Sequence, residues 1–391
     1  MSRAAYRTSP VLKDAFMPSK PRHMPAGRPV QRFRIYALLA IFVLGFIWYS
    51  HHRSHRLSNS PFYRYESVDW SLYAYVQYAT SSAYLCNSIM IFEALHRLGS
   101  RAERVLFYPE EWDTRVDSAT DRDSQLLVLA RDKYNVQLMP IDVQLVRGGS
   151  NDVDSWDSSI TKLLAFSQTQ YDRVLHIDSD VTILQEMDDL FFVPHAKAAM
   201  PRAYWEYAQT RKLTSLLILI EPSYREYKAL MDAAQPIIAG QVGAAADNET
   251  TEVRYDMELL NDRYGDSAMV LPHRQYGLVS GEFRTKNHRA YLGNDYEAWD
   301  PDKVLKEAKL VHFSDWPLPK PWVMWPQKLL AEMLPRCDNK PGTPEESGCR
   351  DREVWRELYE DFRRRRKVSP KGALKNFPAL TKAVLGCLQI A

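Results

Sequence analysis

At 391 residues, 45% hydrophobic and 26% charged, the chain is long enough for one large α/β domain or two smaller ones and too apolar to be mainly disordered. Its net charge of +2 is unevenly spread: the first 34 residues carry eight Lys or Arg against one acid, Asp14, which leaves 43 bases and 48 acids beyond them. A mildly acidic body excludes a general nucleic-acid surface.

Taken in chain order, residues 1–34 form a basic cytoplasmic tail. Ile35 to Tyr49 (IYALLAIFVLGFIWY) then runs without a charge. Fifteen helical residues span about 22 Å, short of a ~30 Å hydrocarbon core. Arg32, Arg34 and Arg53 can snorkel to the interface, and a short span suits a thin membrane. No small-residue cleavage site follows, since the chain continues into SHHRSH. Residues 35–50 therefore read as a transmembrane signal anchor, with the body in the lumen. Residues 51–66, with His51, His52 and His55, read as a stem. Two features fit an oxidising lumen. Asn248-Glu249-Thr250 is a glycosylation sequon. Cys337 and Cys349 bracket the turn-rich DNKPGTPEESG, where a disulfide would close a short loop.

From residue 67 onward, strand and helix patterns alternate. Ala74 to Thr80, Arg104 to Pro109 and Val136 to Ile141 read as short buried strands. Between them, Asn87 to Gly99 and Ser124 to Asn135 read as helices stopped by glycine and asparagine. Ser158 to Gln168 is a third helical stretch, with Ile160, Leu163 and Leu164 on one face and Lys162 off it. It leads into YDRVLHID, Tyr171 to Asp178. The alternation predicts a parallel, doubly wound arrangement that binds ligands at the carboxyl ends of its strands. Further on the order turns mixed: Ser215 to Pro222, Ala268 to Pro272 and Lys309 to Ser314 read as strands, Ser223 to Ala234 and Tyr255 to Gly265 as helices. The basic FRRRRK, Phe362 to Lys367, closes an amphipathic pattern from Val354 and reads as a helix end complementing its own dipole.

The chemistry concentrates in VLHIDSDVTILQEMDDLF. Asp178 and Asp180, either side of Ser179, stand where a buried strand ends, within reach of one hard cation. Asp188 and Asp189 sit too far along and read as caps of the next turn. His176, between apolar neighbours, reads as packing. The strand, the Asp-x-Asp and the Asp-Asp-Leu-Phe turn together resemble the nucleotide-sugar glycosyltransferases of glycosyltransferase family 8, the glycogenin-like group. The match extends over roughly Ser67 to Trp325. The segments YATSSAYLCNSIMIFEALHRLGS, LTSLLILIEPS and VHFSDWPLPKPW are similar to fungal Golgi N-acetylglucosaminyltransferases within that family.

The resemblance implies a GT-A fold over residues 67–336, a Rossmann-like mixed sheet flanked by helices, with 337–391 a C-terminal helical extension. It implies a metal site of Asp178, Asp180 and His312 holding Mn²⁺ against a UDP-sugar. Thr80, Tyr84 and Ser179 would face the nucleotide, Tyr84 by stacking. Lys162 would reach the sugar-phosphate side and Lys320 would clamp a phosphate. Asp256 falls where the family places an acid beside the transferred sugar. Met257 stands where the family often has glutamine, and Thr214-Ser215-Leu216 where it has Asn-Ser-Gly. Both departures bear on donor identity.

The expected activity is retaining transfer of N-acetylglucosamine from UDP-N-acetylglucosamine to a mannose-containing glycan by a type II Golgi membrane protein. UDP-glucose or UDP-galactose as donor, and a non-catalytic glycan- or nucleotide-binding module, remain the alternatives. A double displacement would use Asp256 as nucleophile, whereas a front-face return needs no such group. A mixed oxygen and nitrogen shell suits Mn²⁺.

Overall fold

The computed structural model describes residues 43–45, 68–114, 121–143, 156–206, 211–239, 254–315, 318–323, 325–335 and 349–367. The chain divides into two units, Met1–Val68 and Asp69–Ala391. In the first, residues 43–45 are helical and exposed. The rest of the expected span over 35–50 lies outside the described residues, as do the stem and the Asn248 sequon. Among the described residues no helix is long and apolar enough to cross a membrane.

Among the described residues the second unit has ten strands. These are β1 (Tyr73–Tyr78), β2 (Glu103–Pro109), β3 (Val136–Ile141), β4 (Arg173–Ile177), β5 (Val181–Ile183), β6 (Ala198–Pro201), β7 (Leu217–Ile220), β8 (Met269–Leu271), β9 (Leu278–Val279) and β10 (Leu310–His312). The helices of nine residues or more are α1 (Ser82–Arg97), α2 (Arg122–Tyr134), α3 (Tyr224–Ile238), α4 (Asp256–Tyr264) and α5 (Arg350–Lys367).

Seven strands form one sheet in the order β3-β2-β1-β4-β7-β6-β8. The β3-β2-β1-β4 half is parallel, as the alternation predicts. Beyond it β7 runs antiparallel to both β4 and β6, so the sheet is mixed. Successive residues of β1 serve opposite faces, the normal consequence of a period of two. Tyr75 faces a core with Leu85, Phe92 and Leu127 of α1 and α2. Ala74 and Val76 face a second core with Ile160, Phe166, Leu230 and Leu260. The expected helix stops hold. Gly99 and Asn135 both adopt positive φ, +80° and +53°, where glycine carries no steric penalty and asparagine a small one.

Two differences matter for the site. The stretch Trp156–Ser167 is a 3₁₀ helix, not an α-helix. It is enclosed between the sheet and α3, so Lys162, expected off the apolar face, is buried at 3% exposure. A second sheet, β5-β10-β9, was not legible in the sequence. Of its strands only β10 was expected, within Lys309 to Ser314; β5 and β9 are three and two residues long, too short to display a period. Its core joins Leu278, Phe283 and Phe313 to Val354, Trp355, Leu358 and Phe362 of α5.

Asp188 does more than begin a turn. Its buried carboxylate accepts from Tyr75 Oη, Ser100 Oγ and the Arg101 amide, all at 2.8 Å. It ties β1 to the α1–β2 connection and is no metal ligand. Cys349 is disulfide-bonded, and so is Cys86 within α1, which the sequence did not single out. Cys337, the expected partner of Cys349, lies outside the described residues.

Candidate active site

The site begins where β4 ends. The Asp178 amide donates to the Leu216 carbonyl at 2.8 Å, prolonging the β4–β7 pairing. Two residues later the Asp180 carbonyl accepts from the Phe313 amide at 2.9 Å, as the chain joins the second sheet. The two aspartates are thus fixed by different sheets. The antiparallel register of β5 with β10 sets His312 opposite Val181 and so beside Asp180.

The result is a cluster of two carboxylates and one imidazole, with one ligand atom from each of Asp178, Asp180 and His312 lying within 4.8 Å of the others. His312 Nε2 is 3.1 Å from Asp180 Oδ1 and 3.9 Å from Asp178 Oδ2. This donor set fits a divalent cation with mixed oxygen and nitrogen ligands. Lys320 Nζ donates to Asp180 Oδ2 at 2.6 Å and to the Phe313 carbonyl at 3.0 Å. Burial opposes the Asp180 charge, but His312 and Lys320 outweigh it and hold the carboxyl far below its usual range.

A second charged group lies behind the first. Lys162 Nζ is 2.8 Å from Asp178 Oδ1 and 2.7 Å from Asp256 Oδ2. Burial works against its ammonium, yet the two carboxylates raise its pKa well above that of an ordinary lysine. In return Lys162 overcomes the burial of Asp178 and brings that carboxyl down to about 2. Asp256 opens α4 but does not cap it: Ser215 Oγ donates to its Oδ2 at 2.5 Å, alongside Lys162.

Two members of the site were missed by sequence reasoning. Ser215 orients Asp256 from the entry to β7. His176, expected to be packing alone, lies 3.4 Å from Asp178 Oδ1 and stacks on Tyr78 with ring centroids 5.6 Å apart. Its other ring nitrogen is 3.2 Å from the Val76 carbonyl. Burial depresses its pKa, so it meets Asp178 as a neutral imidazole. Its i, i+2 relation to Asp178 was the available signal, because alternate strand residues share a face.

All nine residues singled out from the sequence line one cleft of about 680 Å³: Thr80, Tyr84, Lys162, Asp178, Ser179, Asp180, Asp256, His312 and Lys320. Met257 and Leu216 line it beside Asp256. A volume in this range suits a single extended small-molecule ligand.

No family model matches the chain. Glucose N-acetyltransferase 1 of Aspergillus fumigatus is 64% identical over 357 residues, 91% of either chain. Its counterpart in Gibberella zeae is 47% identical over 300 residues, 75% of this chain and 62% of that one. The Saccharomyces cerevisiae protein of the same name is 24% identical, covering 78% of this chain and 82% of its own. A solved structure of the galactosyltransferase LgtC with donor and acceptor sugar analogues is similar at a TM-score of 0.45 and 13% identity, covering 78% of this chain and 99% of that one. That likeness is too low to bear on function.

A mixed α/β sheet with a carboxylate–imidazole cluster at a strand end, in a chain so similar to named transferases, defines a sugar-transferring enzyme. The chain belongs to the glucose N-acetyltransferase 1 family.

Proposed function

We propose that this protein is a retaining glycosyltransferase of family 8 type, with a GT-A fold. It transfers N-acetylglucosamine from UDP-N-acetylglucosamine to a mannose-containing glycan. The observation that carries this reading is the pairing of Asp178, Asp180 and His312 with two lysines in one cleft. Breaking a sugar–diphosphate bond develops negative charge on the leaving diphosphate, and preorganised positive groups stabilise that charge without proton transfer. Asp178, Asp180 and His312 would hold a divalent cation, which would supply Lewis-acid stabilisation of the phosphate oxygens.

The chain's own residues do the remainder. Lys320 offers a positive charge on the diphosphate side. Lys162 and Ser215 hold the Asp256 carboxyl in place, positioned to stabilise positive charge at the anomeric carbon. Asp256 is also the carboxylate available to a double displacement, while a front-face return would use it electrostatically. Tyr84 and Thr80 are offered to the nucleotide.

The relatives' name supports an N-acetylated glucose as the transferred unit. Read literally, it would mean acetyl transfer to glucose. That chemistry calls for a general base and an oxyanion hole, and a cation cluster backed by lysines supports a diphosphate leaving group instead. The test is transfer from a panel of UDP-sugars with Mn²⁺, with and without mannose oligosaccharides, beside acetyl-CoA with glucose. UDP-N-acetylglucosamine is expected to give product only when the oligosaccharide is present. Product from UDP-glucose or UDP-galactose alone would move the donor assignment, and acetylated glucose would overturn the reading.

The basic tail and uncharged segment support placement as a type II Golgi membrane protein with a lumenal catalytic unit. Protease added to sealed microsomes is then expected to remove only the first thirty or so residues. Digestion of the whole body would overturn the topology.

A further inference from the structure

The arginine run Phe362 to Lys367 is a charged feature of the catalytic unit that the site leaves unexplained. A helix end that merely complements its dipole would spread these side chains into water. Arg364 fits that description, pairing with Asp361 on its own helix. The others do not. Arg363 Nε donates to the Pro321 carbonyl at 2.6 Å. Arg365 Nη2 donates to Thr182 Oγ1 at 3.0 Å. Arg366, only 5% exposed, donates to the Ala83 carbonyl at 3.1 Å and to Asn87 Oδ1. Its guanidinium also lies 5.3 Å from the Trp322 ring centre.

Each contact falls next to a group of the cleft. Pro321 follows Lys320. Ala83 precedes Tyr84, and the Tyr84 ring meets Trp322 edge-on at 5.9 Å. Thr182 lies two residues after Asp180. The start of the Lys320 loop is held from the same helix, since Trp355 Nε1 donates to Asp315 Oδ2 at 3.3 Å. Arg284 binds the other Asp315 oxygen at 2.7 Å. Both ends of the segment carrying Lys320 are therefore attached to α5 or its immediate core. The segment needs such attachment, because the stretch 318–323 lies in no helix or strand. A lysine side chain on an unrestrained loop would lose much of its conformational freedom on gripping a phosphate.

From this geometry we propose that Arg363 and Arg366 are positioning residues for the donor site. They hold Lys320 and Tyr84 in place for a nucleoside diphosphate, so that the C-terminal helix preorganises the end of the cleft where the leaving group departs. The role rests on the proposed UDP-sugar reading and adds to it a pair of residues that never touch the ligand. Burial depresses the pKa of Arg363 and Arg365, a desolvation that solvent-facing dipole partners would not incur.

The experiment is a double-mutant cycle on the full chain, read by calorimetric binding of UDP with Mn²⁺ and by kcat and KM for the donor. Arg363→Ala is expected to weaken UDP binding and lower kcat, each by about tenfold. Placed on Lys320→Ala, the same change is expected to cost less than about twofold, because its effect runs through Lys320. Arg363→Lys keeps a donor for the carbonyl and is expected to recover most of the loss. Arg364→Ala serves as the control on the same helix turn and is expected to move neither quantity.

A full tenfold loss in both backgrounds would overturn the positioning role, since the helix would then act on the fold at large. Wild-type values for Arg363→Ala would overturn it as well. Should Arg363→Ala lose its cooperative melt, Arg363→Gln takes its place in the same two backgrounds, with the same criterion. If the wild-type protein fails to bind UDP with Mn²⁺, it is the donor reading that falls, and the cycle distinguishes that outcome from failure of the positioning role alone.

Discussion

Asp180→Asn is expected to lower sugar transfer by roughly a hundredfold to a thousandfold while leaving the fold intact. The residue is 8% exposed, and its two oxygens face different partners, His312 Nε2 at 3.1 Å and Lys320 Nζ at 2.6 Å. Asparagine keeps the shape and removes the charge. It also offers one oxygen where the carboxylate offers two, and where the amide nitrogen faces Lys320 the ammonium loses its carboxylate partner. Transfer rates, calorimetric titration of UDP with Mn²⁺ and a thermal melt distinguish the outcomes. Lost binding with a preserved melt is the expected pattern. Full activity would remove the metal site from the mechanism, while a lost melt would make the aspartate pair structural.

Replacing Lys162 by methionine carries the largest expected effect on stability. The ammonium is shared by Asp178 and Asp256 at 2.8 and 2.7 Å, and Lys162 and Asp256 are 3% and 7% exposed at their side chains. Methionine fills most of the space but leaves two inward-facing carboxylates without their cation. Breaking a buried pair in this way costs about 3–5 kcal/mol, mainly through the uncompensated charge that remains. Urea denaturation is expected to show a lower midpoint with an unchanged slope, and transfer is expected to fall with it because Asp256 loses its orientation. Lys162→Arg is not expected to rescue, since a planar guanidinium demands a different set of acceptors from a compact ammonium in the same slot. A Lys162→Met midpoint equal to the wild type would show that water reaches the pair and that the ion cluster is not buried in solution.

Much of the site was legible because its signals are local. An apolar strand that ends in Asp-Ser-Asp announces carboxylates at a sheet edge, and β4 delivers them there. Helix stops at Gly99 and Asn135 follow from the conformational freedom of those residues, and both hold. The parallel half of the sheet follows from alternating strand and helix patterns, which depend on spacing within short windows. Lys162 was named from resemblance, while periodicity placed it only off the apolar stripe. Its burial was not legible there, because an apolar stripe describes a helix with one wet face, and this one buries Lys162 as well.

By itself the sequence determined the composition of the site: two aspartates, a histidine, two lysines and a third acid, each on or beside an element with a recognisable pattern. Only the tertiary structure decided which of them meet. His312 reaches Asp180, 132 residues away, through the pairing of two three-residue strands, of which the sequence shows β10 but not the partner it takes. Lys162 is joined to Asp256 by the packing of a 3₁₀ helix against the entry to α4, a contact between segments with no shared periodicity. The arginines of α5 show the same division, because a run of charge looks alike in water and against a neighbour. Whether Arg363 faces solvent or the Pro321 carbonyl depends on where a distant loop is carried, and the physical reason is general. Local preference acts over a few residues, whereas strand register and side-chain pairing are set by the burial of the whole core.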